Sequence, residues 1–266
     1  MKRRIIKLVI IGYWCLCGSV LIYRIGYDLR ILYFGETIVV RRTASEGYDY
    51  LLHFPRGYHD YTGQRPLLVF LHGAAEVGKD IKTIYEPYAL FEEGDRLGAD
   101  DFPFIVVGPV TPTGGWNTAQ VCHFVEQIVE DSRFRYRIDP DRVYLTGLSM
   151  GGFGTFDTAC DYPDHFAAIV PLAGGGNPDE AERLKSVPTW AFHSNEDTVV
   201  SHENSERMIR AMKEIGHEDA RLTTLKGVGH DVSRSVYNRP ELYRWMLSHR
   251  ISGNRCGGAT DLRRSP

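Results

Sequence analysis

Residues 142–154 read RVYLTGLSMGGFG. An apolar run with strand character ends at Gly147-Leu148-Ser149-Met150-Gly151, and a helical pattern follows at once. This is G-x-S-x-G in a strand–turn–helix setting, the arrangement that exposes a serine at the edge of a sheet. The spacing has a physical reason. The serine sits on a strained turn where side chains on either flank would strike the strand and the helix, so glycine is needed on both sides. The helix that follows aims its N-terminus at the serine and favours negative charge developing there. Ser149 is the candidate nucleophile; the competing reading is a glycine-rich structural turn.

Working outward, apolar runs alternate with helical patterns, which signals a mostly parallel sheet covered by helices. Strands are predicted at Ile38–Thr43, Tyr50–Pro55, Leu67–His72, Phe104–Val110, Arg142–Gly147, Ala168–Ala173, Thr189–His193 and Arg221–Lys226. The middle ones, LLVFLH and FIVVGPV, are continuously apolar, as suits strands buried on both faces. Helices are predicted at Ile81–Glu92, Thr118–Phe134, Met150–Tyr162, His202–Ile215 and Pro240–His249, with Asp139-Pro140 and Asp161-Tyr162-Pro163 as punctuation. The segment between the sixth and seventh strands is too short for a cap domain. Residues 35–251 therefore read as one α/β domain of about eight strands, and residues 252–266 as a loose tail.

A serine hydroxyl needs a base, and the base needs an orienting acid. Downstream lie His165, His193, His202, His217, His230 and His249. Only His230 sits in a glycine-rich loop just after a strand, in LKGVGHDVS. His193 ends a strand and reads as buried, while His202, His217 and His249 fall on amphipathic helices. His230 is the candidate base. For the acid, WAFHSNEDTVV places Asp197 in the loop after the seventh strand. Its competitors are the adjacent Glu196, otherwise a solvated loop carboxylate, and Asp231, which would reach its own neighbour only awkwardly. Two backbone N–H groups would hold an oxyanion: that of Met150, after the serine, and that of Ala74, where Gly73 permits a tight turn after the third strand. Trp116, in GGWN, lies on the carboxyl edge where ligands bind in open α/β sheets; it reads equally as a pocket or a packing residue. Glu76 reads as a partner within the oxyanion loop. The Gly174-Gly175-Gly176 run lacks the GK[ST] of a phosphate loop.

On these stretches, FLHGAAEVGKD, FIVVGPVTPTGGWN, YRIDPDRVYLTGLSMGGFGTFD, VPTWAFHSNEDTVVS and GVGHDVSRSVYN, the chain resembles the single-domain α/β hydrolases of the esterase D, feruloyl esterase and phospholipase/carboxylesterase type. That group includes chains labelled predicted peptidases. The resemblance spans about residues 67–250 and implies an α/β-hydrolase fold. It matches Ser149 to the family's nucleophile, Asp197 to its acid, His230 to its base, and Ala74 with Met150 to its oxyanion donors. The chain departs from the family in Ala74-Ala75, where relatives have a glycine-containing stretch. It departs again in Val232-Ser233-Arg234, where relatives often carry a tryptophan. Both departures bear on substrate preference and neither on the triad.

The 266 residues, 43% hydrophobic and 24% charged, suit a globular chain and exclude a disordered or fibrous one. Residues 1–34 hold Lys2, Arg3, Arg4, Lys7, Arg24 and Arg30 against Asp28, a net of +5, which leaves −8 for the rest of a chain whose total is −3. An acidic body argues against a nucleic-acid partner. MKRRIIKLVIIGYWCLCGSVLIY, residues 1–23, joins a basic start to an apolar run, the pattern of a signal anchor or a cleaved signal peptide; a core helix is the bland alternative. The apolar run from Leu8 gives roughly 24 Å as a helix, short of the roughly 30 Å of a bilayer core. The anchor reading puts the body on the extracytoplasmic side. None of the five cysteines forms a CxxC pair, so a zinc or redox motif has no support. One disulfide among Cys122, Cys160 and Cys256 competes with unpaired buried thiols.

Three functions follow from this reading: a serine hydrolase acting on small carboxylic esters without metal or organic cofactor, a peptidase with the same triad, and a catalytically silent binding protein. No triad member is missing, which favours the first two. Nothing in the sequence fixes the oligomeric state.

Overall fold

The computed structural model describes residues 11–13, 20–25, 29–34, 37–41, 47–55, 57–81, 90, 102–132 and 136–251, the first four stretches as backbone only. Eleven strands among them form one sheet. They are β1 (Ile11–Tyr13), β2 (Val20–Ile25), β3 (Leu29–Phe34), β4 (Thr37–Arg41), β5 (Asp49–His53), β6 (Arg65–Leu71), β7 (Ile105–Val110), β8 (Ile138–Leu148), β9 (Ala168–Leu172), β10 (Thr189–Ser194) and β11 (Ala220–Leu225). Their order is β1-β2-β3-β4-β5-β7-β6-β8-β9-β10-β11. The six strands from β7 to β11 in that order are parallel, and β5 joins β7 antiparallel. This is an α/β-hydrolase sheet, and β4 to β11 are the eight strands the sequence predicts. The chain reverses its direction of travel across the sheet between β6 and β8. Open α/β sheets bind ligands at such a switch point, outside the carboxyl ends of the strands.

The reason for the layering is visible in β6. Leu67, Val69 and Leu71 belong to one buried cluster and Leu68 and Phe70 to the other, because successive side chains point to opposite faces. On the first face pack α1 (Thr118–Ser132), α2 (Met150–Asp161) and α3 (Glu203–Glu214), through residues such as Phe124, Phe156 and Met208. On the second pack α4 (Ser233–Tyr237) and α5 (Pro240–Leu247), through Tyr237, Tyr243 and Trp245. Among the described residues no cap domain stands over the sheet. The predicted helix Ile81–Glu92 falls mostly outside the described residues, as do the tail 252–266 and Cys256.

Three elements differ from the sequence reading. The short helix α4 was not foreseen. β8 begins at Ile138 rather than Arg142, passing through Asp139-Pro140. A proline is tolerated there because the register shifts between Arg65 and Leu67 of the paired strand. Third, the backbone at Ile11–Tyr13 and Val20–Ile25 is extended and paired antiparallel, not helical; an apolar run alone does not distinguish strand from helix. Among the described residues no helix is long and apolar enough to cross a membrane.

Asp139 anchors the amino end of β8. Its Oδ2 accepts from Arg142 Nε at 2.7 Å and Arg250 Nη2 at 3.2 Å, and its Oδ1 from the Asp141 amide at 3.1 Å. Burial pushes its pKa up, but the hydrogen bonds and the two guanidinium charges outweigh that and hold it below the ordinary carboxylate value. Asp139→Asn should therefore cost about 1–3 kcal/mol at neutral pH, read by urea unfolding. With a lowered folded pKa, the contribution is full above the unfolded value of about 3.9 and is lost as pH falls through the folded one. The wild-type and mutant stabilities should converge in acid.

Candidate active site

Ser149 links β8 to α2 with φ 58° and ψ −118°, a left-handed conformation that is uncommon for a residue with a side chain. Its amide donates to the Leu172 carbonyl at 2.9 Å, and its own carbonyl accepts from Phe153 at 3.0 Å, so both sides of the turn are tied down. The glycines beside it are there for space. A Cβ on Gly151 would lie 1.9 Å from the Leu71 carbonyl oxygen, and one on Gly147 would lie 2.4 Å from that of Gly151. The helix therefore starts against the backbone of β6. The amide of Met150, in its first turn, needs no intrahelical acceptor.

His230 and Asp197 come from loops after β11 and β10, at the same edge of the sheet as Ser149. His230 Nδ1 lies 2.7 Å from Asp197 Oδ2. The Asp197 side chain is fully buried, and His230 keeps 22% of its side-chain surface exposed. Asp197 Oδ1 accepts from the amides of Val199 at 2.8 Å and Val200 at 2.9 Å. Burial pushes the Asp197 pKa up; the hydrogen bond from His230 and the two amides more than offset it and hold the group below its ordinary value, an anion at neutral pH. Glu196 points elsewhere: its Oε1 accepts from the Gly227 amide at 3.0 Å. With Ser194 Oγ donating to the Val228 carbonyl, it clasps the Asp197 loop to the His230 loop. Asp231 caps α4 through the Ser233 amide at 2.9 Å.

The loop after β6 is set by His72, wholly buried. The Thr111 amide donates to its Nε2 at 3.1 Å, so the ring proton is on Nδ1 and is donated to the Gly73 carbonyl at 2.7 Å. In a trans peptide the N–H points opposite to the carbonyl. Turning the Gly73 carbonyl onto His72 therefore turns the Ala74 N–H away from the ring. Trp116 braces this loop: its Nε1 donates to the His72 carbonyl at 3.2 Å, its ring meets His72 edge-on at 4.8 Å, and Gly154 leaves room for it. The indole is half-buried.

The other histidines are engaged elsewhere, His165 with Glu126, His202 with Thr224, His217 with the Val187 carbonyl and His249 with Asp219. The exception is His193, whose ring touches Asp197 itself. The sequence reading treats it as an ordinary buried strand end; the available signal was its position four residues before Asp197. Cys122 and Cys160 are free and buried, each thiol pushed up to about 12 by burial above all. Cys122, Glu126 and His165 have donor atoms within 4.8 Å of one another, at the amino end of β9, opposite the edge that carries Ser149. There His165 Nε2 is already bonded to Glu126 at 3.0 Å. The Gly174 backbone packs on Gly152 of α2, where a Cβ would stand 2.5 Å from the Gly152 carbonyl carbon.

A family model named Esterase matches residues 46–242. The chain belongs to this esterase family. It is 49% identical over 131 residues to a poly(3-hydroxyalkanoate) depolymerase C of Paucimonas lemoignei, a match covering 46% of this chain and 30% of that one. It is 29% identical over 123 residues to a bifunctional acetylxylan esterase/xylanase of Neocallimastix patriciarum, covering 45% and 18%. The crystal structure of a thermostable esterase superposes with a TM-score of 0.60 at 26% identity, over 91% of this chain and 63% of that one. A feruloyl esterase module from Clostridium thermocellum does so with the same TM-score at 17% identity, over 91% and 87%, a likeness of fold. The chain thus spans less than a third of the length of the two curated relatives.

In this protein the elbow makes a sharp demand. Gly151→Ala should fail to give soluble, folded protein, because neither backbone it separates can withdraw. Gly114→Ala, where a Cβ would meet nothing within 4 Å, should melt within a degree or two of wild type, as surface changes of about ±0.5 kcal/mol do. Thermal melts of the two variants check this.

Proposed function

We propose that the protein hydrolyses carboxylic esters through an acyl-enzyme, with Ser149 as nucleophile, His230 as base and Asp197 as acid. The observation that carries this reading is the 2.7 Å contact between His230 Nδ1 and buried Asp197, at the same sheet edge as the strained Ser149 turn. Membership of the esterase family supports it. With Nδ1–H committed to the carboxylate, Nε2 is the free base. It takes the Ser149 proton as the oxygen attacks the ester carbonyl. The negative oxygen that forms is met by the N–H groups of Ala74 and Met150. The imidazolium, stabilised by Asp197, gives its proton to the leaving alcohol. Water then attacks the acyl-serine with the same base, releasing the acid and restoring Ser149.

A second proposal concerns location. The basic start and apolar run of residues 1–24 send the body to the extracytoplasmic side, either as a retained membrane segment, for which Ile11–Tyr13 and Val20–Ile25 must leave the sheet, or as a cleaved signal. Salt-washed membrane fractions should keep the activity if the segment is retained, whereas cleavage leaves a soluble enzyme with a shortened N-terminus. Full-length soluble protein in the cytoplasm would overturn both.

On p-nitrophenyl esters, Ser149→Ala should lower kcat by on the order of 10⁴–10⁶ while the circular dichroism spectrum stays unchanged. Asp197→Asn should lower kcat by roughly 10⁴, and Glu196→Gln far less. Near-wild-type turnover by the Ser149 variant would refute the nucleophile, and the opposite ranking of the other two would refute the acid.

A further inference from the structure

We propose that His193 is a positioning residue for Asp197, donating its Nε2–H to the carboxylate oxygen that His230 also holds. The inference rests on Asp197 being the triad acid.

The His193 ring is wholly buried at the end of β10. Its Nε2 lies 3.2 Å from Asp197 Oδ2 and 3.0 Å from the Val200 carbonyl oxygen. Both partners only accept, and a lone pair aimed at them would be repelled, so this nitrogen carries the proton. On the other side, Nδ1 faces Ser205 Oγ of α3 at 2.7 Å, and Ser205 Oγ reaches the Gly174 carbonyl at 2.6 Å. The ring is thus gripped between α3 and the loop after β9, and it presents one N–H to the acid. The titratable groups facing it are Asp197 and His202, the latter ring-to-ring at 5.5 Å. Burial, helped by His202, pulls the His193 pKa below its ordinary value against the Val200 carbonyl and Asp197. A proton on Nε2 is what the contacts at Asp197 and Val200 require.

The consequence for the triad follows from charge. Asp197 Oδ2 serves two donors, His193 and His230. Removing the first frees the carboxylate to turn and leaves more negative charge for the second. The imidazolium that His230 forms on taking a proton is then better stabilised. The base must be unprotonated to act, so the acid limb of the kcat/KM profile moves to higher pH. The charged groups beside His230 are Asp197 and its chain neighbour Asp231, whose carboxylate is occupied by the Ser233 amide. Simple packing by His193 would have no such effect on the limb.

Three variants separate the two roles: His193→Phe keeps a ring and loses the N–H, His193→Gln keeps an N–H donor and loses the ring, and Ser205→Ala loosens the ring without touching the acid. Each is checked for folding by circular dichroism and assayed for kcat, KM and pH profile on one p-nitrophenyl ester. His193→Phe should lose between about 10-fold and 100-fold in kcat, the scale of a small misplacement, with KM within about twofold. Its acid limb should rise by roughly half a pH unit. His193→Gln should recover most of the rate and the original limb, and Ser205→Ala should fall between wild type and His193→Phe. A folded His193→Phe with wild-type kcat, a loss of kcat with an unmoved limb, or a glutamine variant no better than phenylalanine overturns the proposal. Should His193→Phe fail to fold, wild-type kcat and limb in Ser205→Ala overturn it. Asp197→Asn distinguishes the levels: if it keeps full activity the triad reading itself falls, and if it is inactive while His193→Phe is normal only this inference falls.

Discussion

The backbone of α2 touches the backbone of β6 where Gly151 meets the Leu71 carbonyl, and the site is built around that contact. Two residues before Gly151 stands Ser149; three residues after Leu71 stands Ala74. The distance between the Ser149 and Ala74 backbones is therefore held by main-chain atoms that no rotamer can move. The same approach forces Ser149 to φ 58°. Strain of this kind persists only where the surroundings over-determine it, and here the Leu172 and Phe153 hydrogen bonds do so.

Buried charge is handled alike at both poles of β8. A carboxylate taken from water needs its lone pairs filled. Asp197 receives two amides on one oxygen and two imidazoles on the other. Asp139 receives an amide and two guanidinium groups. The difference is in what the donors can do. Guanidinium groups stay charged and make a fixed clamp, whereas an imidazole at Asp197 can gain and give up a proton without leaving its place.

Much of this was legible in the sequence because it depends on residue size and spacing. LLVFL and RVYLTGL read as strands covered on both faces because turn signals bound them, and the glycines at 147 and 151 announced the tight crossing between strand and helix. The choice of Asp197 over Glu196 rests on loop position, and it is Asp197 that lies against His230. What escaped depends on direction and proton placement. No pattern tells which nitrogen of His72 carries a proton, yet that proton turns the Ala74 amide. His193 was read from its burial alone, although its partner lay one helical turn's worth of residues ahead. The apolar run at residues 8–23 has no period that separates an extended from a helical backbone, and the strands at Ile11–Tyr13 and Val20–Ile25 show the limit of that signal. Asp139-Pro140 looked like a break because the carboxylate that props it is invisible in one dimension.

The hold of Asp139 on Arg250 also decides how the chain departs. The Ile251 amide donates to the Asp141 carbonyl at 2.9 Å, so residues 250 and 251 are moored at the amino end of β8. From Asp141 to Ser149 the strand runs roughly 26 Å at about 3.3 Å per residue. A linker, a tag or a bead fastened to the chain beyond that mooring leaves from the pole opposite Ser149. A molecule held at residues 250 and 251 is held at the pole opposite the edge that carries Ser149, and that edge faces away from the hold.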